Sequence, residues 1–264
     1  MTKMAEQMDA FERRRALRQK RIRRRRAFIA LWTTLIILLL VGLFLCLTVL
    51  FPIEKVSASG SKLYTEKQIV QYSGLNSEDN VFSFSREKTQ ERLRERLPYV
   101  DSAKFELVLP DTVKIKVTDA KEHFAFKKGN SFYVISTSGY VLKKTDELQS
   151  DIPNIIGVQG SFKVSKKAAY KEEKKQQILE MALSLFEENK ISVQWINLTD
   201  TLDIQLKVEN RFVVNLGSSS ELEGKIRHLS GMIKSMDEES TGNINLSMWN
   251  SSKKEGSFVR GSIE

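Results

Sequence analysis

Residues that could perform catalysis are few in this sequence, and their spacing does not suit it. Its two histidines, His123 and His228, lie far apart in the chain, and its one cysteine, Cys46, falls inside an apolar run. Acid–base catalysis needs a positioned proton donor or acceptor, and a zinc site needs three or four clustered ligands. No His-Glu-x-x-His motif or other ligand cluster occurs. We therefore predict no metal site, no cofactor, and histidines that are structural or solvated.

Two further patterns resemble catalytic motifs, but their surroundings do not support them. Ser-x-x-Lys, the nucleophile motif of penicillin-binding enzymes, begins at Ser59, Ser85 and Ser251, yet neither Ser-Asp-Asn nor Lys-Thr-Gly accompanies it. Adjacent acids such as Glu187-Glu188 could supply the two carboxylates of a glycosidase. Such pairs in a polar helix more often form a solvated face. We predict no catalytic residue and no enzymatic activity.

The positive charge of the chain is concentrated before a long apolar run. Residues 1–26 contain eleven basic and three acidic residues, which gives +8 of the whole-chain charge of +9. Arg23, Arg24, Arg25 and Arg26 directly precede residues 27–51, which contain no charge and exceed the roughly 30 Å thickness of a bilayer core when helical. The positive-inside rule then predicts a single span with residues 1–26 in the cytoplasm and the rest outside the cell membrane.

Two alternatives to this topology can be weighed from the sequence. A cleaved secretory signal also begins with a basic segment, and Val56-Ser57-Ala58 offers small residues for a peptidase. The apolar run is longer than the roughly 7–15 residues of such signals, which favours an uncleaved anchor. A nucleic-acid patch is the second alternative, but no aromatic residue lies among the arginines between Phe11 and Phe28.

Beyond the span, the spacing of apolar residues switches between the helical and the strand period. Thr65-Glu-Lys-Gln68 predicts a capping box that opens a short helix ending at Gly74. A second helix and a hairpin follow, and the order strand, helix, helix, strand, strand indicates a small α+β unit. The predicted buried positions are Leu93 and Leu97 on the helix and Ala103, Phe105, Leu107, Leu109, Val113, Ile115 and Val117 on the hairpin.

In residues 121–250 the spacing of apolar residues predicts further strands and two longer helices, at 166–189 and 220–236. An apolar loop is predicted at 151–157, a last strand at 243–249, and a loose polar tail at 251–264. Because no cysteine lies outside the apolar run, packing alone must hold this part of the chain together.

Taken in order, several local segments resemble the bacterial cell-division protein family FtsQ, in its Gram-positive form DivIB. The resemblance covers essentially the full chain and implies no enzymatic activity. It implies a POTRA domain (FtsQ type) at 53–120, a larger strand-rich β domain with two helices at 121–250, and a flexible tail at 251–264. The segments are Ile53-Glu-Lys-Val-Ser-Ala-Ser-Gly60 before the Thr65 helix, Leu97-Pro-Tyr-Val100, the hairpin Leu109-Pro-Asp-Thr-Val-Lys-Ile-Lys-Val117, Val134 to Leu142 with its turn at Gly139, Ile152-Pro-Asn-Ile-Ile-Gly157, and Leu216-Gly217 to Asn245-Leu246.

The same resemblance implies partners and a site. The partners are the small coiled-coil membrane proteins FtsL and DivIC, the FtsB counterpart, with a septal penicillin-binding protein as a further candidate. In such proteins the final strand of the β domain lies at a sheet edge to which a partner strand adds, and here that strand is Asn243 to Trp249. The predicted partner-binding residues are Ile244, Leu246, Ser247, Met248 and Trp249.

Three functions from different classes remain open at this point. The first is a division scaffold at the septum that binds proteins and helps to stabilise or regulate septal wall synthesis. The second is a membrane-anchored cell-wall hydrolase or transferase. The third is a POTRA-type chaperone that binds extended polypeptides. At the predicted site, Trp249 could equally complete the core instead of meeting a partner.

Overall fold

A single apolar helix precedes the folded part of the chain. The computed structural model describes residues 25–26, 28–45 and 51–261. Helix α1 (Phe28–Leu45) has 18 residues, a mean hydropathy of 2.7 and no buried side chain, so its length and composition suit a membrane span. Arg25 and Arg26 are helical and exposed just before it. Arg23, Arg24 and Cys46 lie outside the described residues.

The segment after α1 has the predicted α+β order. It contains β1 (Lys55–Ser59), α2 (Glu66–Ser73), α3 (Arg86–Arg96), β2 (Val100–Val108) and β3 (Thr112–Asp119), and its sheet order is β1-β3-β2. The predicted capping box is present: the Gln68 amide donates to Thr65 Oγ1 over 3.4 Å, and the Thr65 amide donates to Gln68 Oε1 over 2.9 Å. Gly74 ends the helix with a left-handed φ of 65°.

The hairpin follows its predicted alternation only in part. Val113, Ile115 and Val117 are fully buried along β3. Leu109 was expected to face the core, but it is exposed. The reason is local, because β2 ends at Val108 and Leu109 already belongs to the turn, where strand alternation no longer applies.

Most of the remaining chain forms one nine-stranded mixed sheet. Its strand order is β14-β13-β12-β11-β10-β7-β4-β5-β6, with a separate two-stranded sheet formed by β8 and β9. The elements are β4 (Glu122–Lys128), β5 (Ser131–Ser136), β6 (Val141–Thr145), β7 (Asn154–Ile156), β8 (Gly160–Ser161), β9 (Ala169–Tyr170), α4 (Glu173–Asn189), β10 (Val193–Asn197), β11 (Ile204–Val208), β12 (Phe212–Gly217), α5 (Leu222–Ser235), β13 (Gly242–Asn245) and β14 (Ser257–Arg260).

One large core lies between this sheet and its two long helices. Helix α4 contributes Leu179 and Phe186 to the core, and α5 contributes Ile226 and Leu229. Phe126 of β4 stacks on a neighbouring aromatic ring at 4.5 Å. With no disulfide among the described residues, burial of these apolar side chains is the main source of stability.

Two predicted segments differ from the observed elements in the middle of the chain. The predicted loop 151–157 contains β7, which pairs in parallel with both β4 and β10. Three residues are too few to show a strand period, and β7 therefore escapes prediction. The helix predicted from 166 begins only at Glu173, because Ala169–Tyr170 pairs with Gly160–Ser161 instead.

The end of the chain differs most from the prediction. The strand expected over 243–249 ends at Asn245. The segment 251–264 was predicted to be loose, yet Ser257–Arg260 forms β14, which pairs with β13 in antiparallel register. β13 therefore has a neighbour on both sides, and the prediction that it forms the sheet edge was wrong.

The described residues form two compact units. One contains the residues up to Val56 together with Leu75–Ser85 and Leu107–Val113. The other contains Ser57–Gly74, Arg86–Glu106 and the chain from Lys114 onward, and thus the whole nine-stranded sheet.

Candidate partner-binding site

The five predicted site residues divide between the core and the surface. Ile244, Leu246 and Trp249 are buried in the main core, and Trp249 is 8% exposed. Ser247 is partly exposed and Met248 is 84% exposed. Within this set, Met248 alone presents most of its side chain to a partner.

The backbone after β13 is also occupied by contacts within the chain. The Leu246 amide donates to the Asn215 carbonyl over 2.7 Å, and the Ser247 amide donates to Asn245 Oδ1 over 2.9 Å. The Trp249 amide donates to the Leu246 carbonyl over 3.1 Å, which closes a turn. Residues 246–249 therefore do not offer a row of free backbone groups for strand addition.

The outermost strand on this side of the sheet is β14. The Gly261 amide donates to the Thr241 carbonyl over 3.3 Å, and the register pairs Asn243 with Val259. Backbone groups in an antiparallel strand alternate in direction, so those of Val259 face β13 and those of Phe258 and Arg260 face away from it. Among the described residues no strand pairs with that outer side.

The opposite edge of the sheet, β6, is partly covered by the chain itself. The Val141 amide donates to the Lys166 carbonyl over 3.0 Å, and the Ser165 amide donates to the Val141 carbonyl over 2.8 Å. A bridge between Tyr140 and Lys167 continues this contact. Because edges covered in this way are protected from strand addition, β14 is the more open of the two.

A surface groove of about 850 Å³ lies between α5 and the loop after Trp249, which leads to β14. Trp249 packs directly on Gly224, where an added Cβ would lie 2.3 Å from the indole ring. The His228 ring lies 6.1 Å from the Trp249 ring. The indole Nε1 is buried without a hydrogen-bond partner among the described residues. Trp249 thus forms the apolar wall of the groove.

Helix α5 is held in place at its N-terminal end by a buried lysine. Lys225 Nζ donates to the Leu216 carbonyl over 2.7 Å and to the Ser218 carbonyl over 2.9 Å. Burial lowers the pKa of Lys225, and the Glu221 carboxylate opposes that shift. Glu221 also accepts a hydrogen bond from the Ser251 amide over 2.8 Å. These contacts join α5, β12 and the loop that leads to β14.

The described residues contain no group of three or more His, Cys, Asp or Glu side chains that could hold a metal ion. His123 lines a cavity of about 370 Å³ together with Lys167, Glu180 and Glu187. Its Nδ1 is buried and has no hydrogen-bond partner in the described part of the chain. Burial lowers the pKa of His123, and the Glu187 carboxylate acts against this shift.

A pH dependence of stability follows from His123. A lowered pKa in the folded state means that the neutral ring is favoured there. Stability is therefore full above the ordinary pKa of about 6.5 and is lost as the pH falls from that value toward the lower folded-state pKa of His123, because the unfolded chain then binds a proton that the folded chain does not. We expect His123→Phe to unfold with a weaker dependence on pH between 7 and 5 than the parent chain, as measured by urea titration. Parallel curves for the two chains would contradict this assignment.

β14, which lies at the edge of this site, was not predicted from the sequence. The only local signal is the apolar pair Phe258-Val259 within a polar stretch. In the structure Phe258 lies against the core with its ring 6.0 Å from that of Phe212. With one core-facing apolar residue, β14 is too short to show the alternating pattern by which a strand is predicted.

Comparisons with known proteins match nearly all of the chain after the apolar helix. Residues 51–119 match the family model of the POTRA domain, FtsQ-type, and residues 124–247 match that of the C-terminal part of the cell division protein FtsQ/DivIB. The second match ends before Trp249 and β14. Both matches agree with the resemblance found in the sequence.

Curated relatives carry the same two names. The cell division protein DivIB of Clostridium botulinum (strain Hall) is 26% identical over 197 residues, which cover 72% of this chain and 75% of that protein. DivIB of Clostridium tetani is 22% identical over 192 residues, covering 71% and 72%. The cell division protein FtsQ of Streptomyces coelicolor is 23% identical over 185 residues, covering 69% and 70%.

Proposed function

Because the chain belongs to the FtsQ/DivIB family of bacterial cell division proteins, we propose that it is a non-enzymatic membrane scaffold of the division machinery. Helix α1 crosses the cell membrane once. The basic tail with Arg23 to Arg26 stays in the cytoplasm, and the two matched domains lie outside. The protein acts at the septum, where it binds other division proteins and helps to stabilise or regulate septal wall synthesis.

The proposed partners are FtsL-like and DivIC/FtsB-like small coiled-coil membrane proteins, with a septal penicillin-binding protein as a further candidate. The binding mode is β-augmentation, in which a partner segment pairs with an open sheet edge. The observation that supports it is the outward-facing backbone of Phe258 and Arg260 on β14. Met248 and Trp249 contribute through the neighbouring turn and groove, Met248 by direct contact and Trp249 by shaping the wall.

The two competing functions differ from the scaffold in what they require of the molecule. A wall hydrolase or transferase needs a cleft with two placed acids, an activated nucleophile or a metal ion, and the described residues contain no group of three or more His, Cys, Asp or Glu side chains that could hold such an ion. A chaperone would use the same edge but would accept many extended sequences. Co-purification of the full chain with FtsL- and DivIC-type proteins, together with an assay for turnover of wall fragments, separates the three functions. Selective capture without turnover supports the scaffold.

Topology and location form a separate prediction. A reporter that is active only outside the cytoplasm should work when fused after Glu264 and fail when fused before Lys20, because a net charge of +8 keeps the tail inside. A fluorescent fusion at the N-terminus should form a band at midcell. The reverse reporter pattern would refute the topology, and uniform membrane fluorescence would refute the septal role.

A further inference from the structure

Three exposed apolar side chains lie in two segments of the first unit, one in a loop and two at a hairpin turn. Phe82 is 47% exposed in the turn before α3, while Val108 and Leu109 are 41% and 58% exposed at the turn between β2 and β3. We call these three residues the 82/108/109 surface. Exposed apolar patches often mark sites of contact with a protein or a membrane, and both segments are bonded to the same stretch of chain, residues 51–54.

Backbone hydrogen bonds attach both loops to the segment that follows the apolar run. The Val81 amide donates to the Phe51 carbonyl over 3.0 Å, and the Ile53 amide donates to the Asp79 carbonyl over 3.0 Å. On the other side, the Glu54 amide donates to the Asp111 carbonyl over 2.9 Å. Residues 51–54 are therefore held between the loop of Phe82 and the turn of Leu109.

Phe51 connects this arrangement to the bilayer. It is the last aromatic residue of the uncharged run, and the residues between Leu45 and Phe51 contain no charge. A run that fills the bilayer core places its final residue at the boundary between hydrocarbon and headgroups. The Phe82 ring contacts the Phe51 ring edge-on, with centroids 5.2 Å apart. Phe82 must then lie at the same depth to within one ring.

We propose that the 82/108/109 surface rests in the interfacial region of the outer face of the membrane. This inference rests on the proposed anchor, since it takes α1 as the span. Contact with lipid buries apolar area that is exposed to water in the described structure, which is the driving force for interfacial binding. The chain thus meets the membrane at two places, the span and this surface. The segments that carry the 82/108/109 surface therefore cannot rotate freely about Phe51, where the chain leaves the membrane.

The charges near the surface indicate which lipid feature it contacts. Glu54, Glu78, Asp79 and Asp111 lie in the same segments, with Lys55 as the nearby base. These carboxylates are repelled by anionic headgroups, so anionic lipids should not strengthen the contact. Contact through the apolar side chains should therefore occur with zwitterionic lipids and should not need anionic ones.

Site-specific labelling of the full chain tests this inference. In a Cys46→Ser background, single substitutions Phe82→Cys, Leu109→Cys, Leu63→Cys and Leu39→Cys would each receive a fluorescent label. Each chain would then be placed in phosphatidylcholine nanodiscs without quencher, with lipids that carry a quencher just below the headgroup, or with lipids that carry it near the end of the acyl chain. Leu63 is the matched control, because its side chain is 58% exposed, like that of Leu109. It lies two residues from Ser61, whose hydroxyl donates a hydrogen bond to Asp119 at the C-terminal end of β3, and the hairpin turn is at the other end of that strand. Leu39 lies within α1 and reports on the span.

The expected result is strong quenching at positions 82 and 109 by the shallow quencher and at position 39 by the deep quencher. Position 63 should be quenched several-fold more weakly by either, and addition of phosphatidylglycerol should change little. Quenching at position 39 but not at 82 or 109 would overturn the inference, keep the anchor, and leave the surface for a protein partner. Absence of quenching at position 39 would overturn the anchor and this inference with it. Equal quenching at positions 63 and 109 would also overturn it, since the contact would not be specific to this surface. Far-ultraviolet circular dichroism of each variant checks the fold, and Val108→Cys replaces Phe82→Cys or Leu109→Cys if either fails to fold.

Discussion

Replacement of Arg260 by proline is expected to abolish capture of the FtsL- and DivIC-type partners while the protein stays folded. Proline removes the backbone N–H of residue 260, which faces away from β13 and toward an added strand. A proline whose missing N–H faces solvent is tolerated on an edge strand. We therefore expect the free energy of unfolding to change by less than about 1 kcal/mol. Co-purification with the partners and urea unfolding of the full chain in detergent measure the two effects.

Two further substitutions separate loss of the outward N–H from detachment of β14 and from loss of the Arg260 charge. Val259→Pro is the matched variant, because Val259 is also exposed but its N–H faces β13, so this proline should detach β14 and reduce stability as well as binding. Arg260→Gln retains the backbone N–H and removes the charge, so it should still capture the partners. Normal capture by Arg260→Pro would show that β14 is not the strand that pairs. Loss of capture by Arg260→Gln would instead assign the effect to the guanidinium.

The parts of the fold that sequence predicts well are those determined by neighbouring residues. The capping box at Thr65 and Gln68 and the left-handed glycine at position 74 depend on contacts within a few residues, and both are observed as predicted. The apolar stripe of α5, with Leu222, Ile226 and Leu229 buried, follows from helical spacing alone. These signals need no knowledge of the distant chain.

The parts that sequence does not predict are strands stabilised by distant partners. β7 has three residues and pairs on both sides, with β4 and β10, so its neighbours rather than its own pattern make it a strand. β14 likewise depends on β13 and on the contact between Phe258 and Phe212. Since the candidate site is defined by which strand is outermost, missing β14 moved the predicted edge inward by one strand.

The second large effect concerns Trp249, which the structure assigns chiefly to the core. We expect Trp249→Ala to reduce the free energy of unfolding by about 3–5 kcal/mol, the usual cost of emptying a buried aromatic site. The indole is buried and fills the space over Gly224, so the cavity cannot be closed without moving α5. Urea unfolding followed by circular dichroism measures the loss. Any loss of partner capture by this variant would then reflect unfolding of the site.

Two companion variants distinguish a core role of Trp249 from direct contact with a partner. Trp249→Phe keeps the aromatic packing and removes Nε1, which has no hydrogen-bond partner among the described residues, so its cost should be far smaller than that of alanine. Met248→Ala changes an exposed side chain, so it should leave stability within about 0.5 kcal/mol and weaken capture if Met248 touches the partner. A Trp249→Ala chain that unfolds like the parent but fails to capture the partners would reverse the assignment and make the indole a binding residue. The neighbouring residues 248 and 249 thus test surface and core separately, because the turn's hydrogen bonds to Leu246 and Asn245 use no side chain of either residue.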